Sequence, residues 1–307
     1  MRNSKSNAVV LYVSLIIISM ITYGCSKDRI QSKSLKEYSS PTTYLDSKKQ
    51  AEQEFIIDTT GKGPIIGNQG TTIFMGDNCL MFPNGDSVGF PFIVKLVELY
   101  TPKDMIYYQM PTVASDAIME TDGEIRLRAF KNGTELVLKP GCLFSIKMPN
   151  AAPKNYMRVF YGYTSSNYTD WTDVPASLGI TSSPNPIFTY NQNYYLAQIA
   201  RLGWINCGYN RGSNNNHTLS FVSSTDDLTN VSVFIYFPST KTIMQARNAA
   251  SGSIPDGSNV KIIAIAFDSN GQLCSFNKSL TVNSIENIEV TMTSITDADL
   301  TAFLDGM

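Results

Sequence analysis

The chain has 307 residues with 24 Lys and Arg against 26 Asp and Glu, a formal charge of −2 at pH 7, and one histidine. Loss of residues 1–24 as an export segment would remove Arg2 and Lys5 and no acid, leaving −4, a balance that disfavours nucleic acid as a partner. Sixteen Tyr and fifteen Phe with 16% charged residues suit a well-buried β protein.

Near the start, an apolar run from Ala8 to Ile21 follows Arg2 and Lys5 and leads into Thr22-Tyr-Gly-Cys25. The run is too short to cross about 30 Å of hydrocarbon comfortably, so it reads as a cleaved export segment. Its order of basic start, apolar middle and small residue before a cysteine resembles a bacterial lipoprotein signal, with Thr22 where an aliphatic residue is usual. That resemblance implies cleavage before Cys25 and acylation of its thiol. Acyl chains contribute about 0.8 kcal/mol per buried CH₂, so two or three of them make a lasting anchor. Ser26 in place of Asp after the cysteine implies, by the same resemblance, the outer membrane, on either its surface or its periplasmic face. Residues 25–54 are then the lipidated cysteine and a polar tether, with an r.m.s. reach of roughly 30 Å if flexible and room for a short helix from Asp46 to Glu54.

From Phe55 onward turn dipeptides recur at short spacing: Asn84-Gly85, Asp122-Gly123, Asn132-Gly133, Asp256-Gly257 and Asn270-Gly271. Each favours the positive φ of a tight hairpin. The clearest hairpin joins Glu124–Phe130 to Glu135–Leu138, because Ile125, Leu127 and Ala129 alternate with Arg126 and Arg128. Other expected strands include Phe92–Tyr100, Asn155–Tyr163, Tyr194–Gln198, Val231–Phe237, Val260–Phe267 and Leu273–Leu280. Helical periodicity is nearly absent until Thr296, which with Asp299 forms a capping pattern before Leu300, Phe303 and Leu304. The fold class is therefore all-β: two or three antiparallel β-sandwich modules and a short C-terminal helix, divided as 55–150 and a Tyr-rich 151–307.

Two resemblances accompany this division. Gly67 to Gly76, Cys79-Leu-Met-Phe-Pro-Asn-Gly-Asp86, the Phe92–Tyr100 strand and the Asp122 hairpin resemble the ZU5-type β-sandwich, which implies an interaction or spacer module without catalysis. Leu202-Gly-Trp-Ile-Asn206 is similar to a run in two-part surface lipoproteins with a ZU5-like front half. The stretch from Phe237 through Ile254-Pro-Asp-Gly257 and Lys261 to Ala266 resembles the transthyretin-like sandwich. Asp58-Thr59-Thr60 and Asp86-Ser87-Val88 resemble the O-glycosylation signal of some exported bacterial proteins, with Thr59 and Ser87 as acceptors.

Chemistry is sparse. A Ser-His-Asp triad would have to use His217, at the start of a strand after a polar loop, where a solvated or hydrogen-bonded imidazole is the simpler reading. Cys79, Cys142, Cys207 and Cys274 lack zinc-ligand spacing. In an oxidising compartment they can pair in three ways, or stay as buried thiols. Glu120/Asp122/Glu124 and Asp226-Asp227 are the visible acid clusters; each reads as a solvated turn, with calcium binding or a glycosidase-like carboxylate pair as the sharper readings. No metal, cofactor or nucleotide motif is present.

The densest signal combines aromatics and amides: Tyr161, Tyr163, Tyr168, Trp171, Tyr190, Tyr194, Tyr195, Trp204 and Tyr209 with Asn167, Asn191, Asn193 and Asn206. Rings stack on sugars or anchor protein partners, and amides hydrogen-bond hydroxyls; the same tyrosines also fill sandwich cores. Trp204, in an apolar run, is expected in the core. Tyr168, Trp171 and Asn167, in a polar loop, are the expected ligand contacts. The function these features favour is a membrane-anchored, non-catalytic recognition or adhesion module for glycan or protein at the cell envelope. A structural subunit of an envelope complex and a carboxylate-dependent glycan hydrolase are the alternatives.

Overall fold

Alternation of apolar and polar residues, repeated along strand after strand, organises the chain. A computed structural model describes residues 34–59, 63–115, 117–165, 168–180, 187–212 and 215–307; Cys25 and the export segment lie outside them. Lys36–Met307 forms a single unit. Its first main elements are α1 (Thr42–Ser47), β1 (Gln53–Ile57), β2 (Ile65–Ile66), β3 (Thr72–Phe74), β4 (Phe92–Leu99), α2 (Pro102–Tyr108), β5 (Ala117–Lys131) and β6 (Phe144–Pro149). Then come β7 (Arg158–Ser165), β8 (Tyr168–Thr172), β9 (Thr189–Asn191), β10 (Tyr194–Ile199) and β11 (Gly203–Asn210). Two antiparallel sheets result, ordered β8-β7-β11-β5-β4-β1 and β9-β10-β6-β3-β2. Between them Leu96, Ile125, Leu127, Ile146, Val159, Tyr195 and Ile205 form the first core.

The back half adds β12 (Ser232–Phe237), β13 (Thr242–Gln245), β14 (Ser258–Asp268), β15 (Leu273–Val282), β16 (Thr293–Ser294) and α3 (Asp297–Asp305). These strands form a third sheet, β13-β12-β14-β15-β16. One of its faces presents Phe234, Tyr236, Ile263 and Ile265 to a second core, which also holds Leu99, Phe160, Trp171 and residues of all three helices. The opposite face sends Val233, Ile235, Ile262 and Ala264 into a third core with Leu219, Phe221 and Ile288. Leu219–Val222 and Glu286–Glu289 pair in parallel there. The fold is thus all-β and almost wholly antiparallel, with the short C-terminal helix in place. Thr296 caps that helix, its Oγ1 accepting from Asp299 N at 3.1 Å.

Three expectations change. Residues expected in the tether already belong to the fold: Tyr38–Ser39 pairs with β14, and Tyr38 and Leu45 are buried. Their scattered apolar side chains are anchors, and the early helix is Thr42–Ser47 rather than Asp46–Glu54. The sheets do not divide at residue 150, because β6 pairs with β10 and β5 with β11. The third change is at Asp122-Gly123, expected to be a hairpin, which lies inside the continuous strand β5. Gly123 has φ +137°, and a Cβ there would meet the Tyr100 ring at 2.3 Å, so glycine admits the ring and not a turn. The hairpin expected after Phe130 forms, with Phe130 opposite Glu135 and positive φ at Asn132 and Gly133.

Candidate recognition surface

The outward face of the β9-β10-β6-β3-β2 sheet is the best-built candidate surface. Residues opposite one another on neighbouring strands project to the same side. Register therefore lays out three rows: Ile66, Thr72, Lys147, Leu196 and Thr189; then Phe74, Ser145 and Gln198; then Pro149, Tyr194 and Asn191. Their inward neighbours Ile73, Ile146, Met148, Tyr195, Ala197 and Ile199 fill the first core. Ile66 is 62% exposed, Phe74 44% and Leu196 37%, a concentration of apolar surface of the kind that marks interaction sites. Lys147 Nζ lies 4.1 Å from the Tyr194 ring centroid, a cation–π contact that fixes both side chains.

At one end of this face the turn from β9 to β10 gathers polar and aromatic groups. Tyr190, opposite Tyr195 and so on the other side of this edge strand from Tyr194, is 54% exposed, and Asn191, Gln192 and Asn193 are exposed beside it. Asn191 Nδ2 donates to Tyr194 Oη at 3.4 Å, and Asn193 O accepts from Asn150 N at 3.0 Å. A rigid ring and the exposed side-chain amides of Gln192 and Asn193 can thus meet hydroxyls or main-chain groups of a ligand.

The structure divides the aromatic residues differently from the sequence reading. Trp171 is not a surface contact: it is 1% exposed, and its indole N–H donates to Pro111 O at 2.8 Å. Its strand partner Gly162 leaves room for the indole, whose polar edge finds a carbonyl inside the second core. Trp204, expected in the core, is half-buried, with Arg126 over its ring at 5.0 Å. Tyr168 opens β8 with its main chain opposite Ser165, and Asn167 lies outside the described residues. Thr59 and Ser87 are both exposed. Sequence reasoning missed Ile66, Thr72, Phe74, Lys147 and Leu196; the period-two pattern of Tyr194–Gln198 was the signal for this face.

The acid clusters are also placed differently. Glu120, Asp122 and Glu124 are 3%, 6% and 0% exposed along β5, not in a solvated turn. Lys154 Nζ bridges Glu120 Oε1 and Asp122 Oδ1 at 2.9 Å each. Arg211 Nη2 completes Glu120 at 2.5 Å, while Tyr195 Oη donates to Asp122 Oδ2 at 2.7 Å and Lys241 Nζ lies 3.3 Å from Oδ1. Burial alone would raise the Asp122 carboxyl, but the bonds from Tyr195 and Lys154 hold it below the usual carboxylate range. Burial pushes Glu124 well above that range, opposed only by Asn206 Nδ2 at 3.0 Å. Its Oε2 has no partner among the described residues. Asp226 is buried as well, accepting from Tyr38 Oη at 2.6 Å, whereas Asp227 is half-buried. Cys79 and Cys142 form a disulfide; Cys207 and Cys274 are buried thiols. His217 Nε2 is 2.9 Å from Asp256 Oδ1. Among the described residues no group of three or more His, Cys, Asp or Glu is placed to hold a metal ion.

These features define a layered antiparallel β protein with an open sheet face of mixed apolar, aromatic and amide chemistry. No protein-family profile matches the chain, and no curated protein matches it. Among solved structures, the Bacillus anthracis TIE protein is similar at 11% identity and a TM-score of 0.20, over 81% of this chain and 60% of that one. The chain thus spans less than two thirds of that protein, and a likeness of this size assigns neither fold nor function.

Proposed function

We propose that the chain is a lipid-anchored recognition module of the cell envelope, held in the outer membrane through Cys25 and binding a glycan or envelope protein with the Tyr190–Tyr194 turn and the sheet face beside it. The observation that carries this reading is the ordered face itself, where Ile66, Phe74 and Leu196 stand exposed in register with Lys147 and Tyr194. Exposed apolar side chains, an aromatic ring and a cation on one flat sheet face suit contact with a ligand. Binding rather than catalysis is supported by Glu120 and Asp122, whose oxygens are engaged by Lys154, Arg211, Tyr195 and Lys241. Retention on a glycan array or by envelope proteins should fall tenfold or more in Tyr190→Ala/Tyr194→Ala. A double variant that binds like the parent sinks the proposal. Mass spectrometry of membrane-extracted protein should find acyl chains on Cys25, absent from Cys25→Ser.

A further inference from the structure

A second candidate site lies away from the Tyr190–Tyr194 turn, beyond the other end of β10. Segments 135–141, 178–180 and 200–203, with Pro83, enclose an open cleft of 570 Å³. This is within the range of roughly 300–1,000 Å³ typical of small-ligand sites. Lys139 and Arg201 both line it and are half-buried, yet neither has an ion-pair partner among the described residues. The acid of the same wall, Glu135, lies 3.9 Å from Arg128 Nη1. Two cations without an ion-pair partner among the described residues therefore line the cleft, and a recess that gathers one sign of charge favours an anionic ligand.

The remaining lining is suited to a sugar. Val137, 38% exposed, and Leu178 and Leu202 offer apolar patches for pyranose C–H faces. Gly141, Gly179 and Gly203 have positive φ, and a Cβ on any of them would meet nothing within 4 Å. Main chain is thus bare at three points of the wall, where hydroxyls can reach its polar groups. We propose that this cleft binds an acidic oligosaccharide, its carboxylates paired with Arg201 and Lys139.

Calorimetric titration of the full-length protein with tri-galacturonate tests the assignment, with maltotriose and tri-glutamate as comparison probes. The expected result is saturable binding of tri-galacturonate, weakened tenfold or more in Arg201→Gln and in Lys139→Gln, and at least tenfold weaker binding of maltotriose. Amide resonances of Gly141, Gly179 and Gly203 should shift during the titration. Absence of binding, unchanged affinity in both variants, or tighter binding of tri-glutamate overturns the proposal. Tyr190→Ala/Tyr194→Ala should leave this titration unaltered, so failure at the sheet face and failure at the cleft are separately readable.

Discussion

Two neighbouring carboxylates on one strand are driven in opposite directions, and the contrast has a measurable consequence. Asp122 gives up its proton more readily folded than unfolded, so its stabilisation is complete above the ordinary carboxylate range and is lost as pH falls through its depressed folded value. Glu124 holds its proton more tightly when folded. Its contribution is intact below the ordinary glutamate range and erodes as pH rises toward the raised folded value. Asp122→Asn should cost about 2–3 kcal/mol at neutral pH, less than a fully enclosed pair because Lys154 and Lys241 keep contact with water. It should also flatten the loss of Tm as pH falls below about 4. Glu124→Gln should raise Tm at about pH 8 and leave it nearly unchanged at about pH 5. Thermal unfolding followed across pH checks both, and a Glu124→Gln variant with the parent's alkaline profile contradicts the second. Neither behaviour was legible in the sequence. An Asp-Gly pair marks a turn in most settings, and only the Tyr100 ring against Gly123 reveals a strand that runs straight through.

Elements with a clear alternation, and the C-terminal helix with its capping pattern, were legible, and short helices without an apolar period were not. Ile125, Leu127 and Ala129 declare one face of β5 because a half-buried strand needs nothing but alternation. Helix α2 is seven residues long, too short for a 3.6-residue period to emerge, and its start depends on Thr101 Oγ1 accepting from Asp104 N at 3.1 Å with Pro102 in the first turn. Tyr107 and Tyr108 are buried through this helix. The Cys79–Cys142 bridge was one of three open pairings, since pairing depends on β-strand neighbours that spacing does not reveal. It closes a sequence separation of 63 residues. Cys79→Ser/Cys142→Ser should lose about 2–4 kcal/mol in denaturant unfolding, whereas Cys274→Ser, which breaks no bridge, should lose less. Equal losses would contradict the pairing.

For the whole molecule, the packing of sheets decides what can fold alone. Residues 55–150 supply β4, β5 and β6 but lack β7, β10 and β11, which pair with β5 and β6 or continue their sheet. A 55–150 fragment would expose the edges of both sheets and half of the first core, and should be unfolded or aggregated by NMR and sedimentation, while Lys36–Met307 remains monodisperse. A dispersed spectrum from the fragment would overturn this. The sequence indicated sandwiches correctly because local alternation is a property of each strand. It did not indicate how they share strands, because pairing across more than fifty residues leaves no local trace.

The early entry of the chain into the fold also limits where the protein can stand. Lys36 is already bridged to Asp226 and Tyr38 to Asp268. With Cys25 as the anchor, about ten residues separate lipid from sheet, and even fully drawn out they span no more than about 35 Å. Were Cys25 acylated as proposed, such a leash would keep the module within a few nanometres of the bilayer. Its ligands would then be those of the immediate membrane-proximal layer, not of a distant surface.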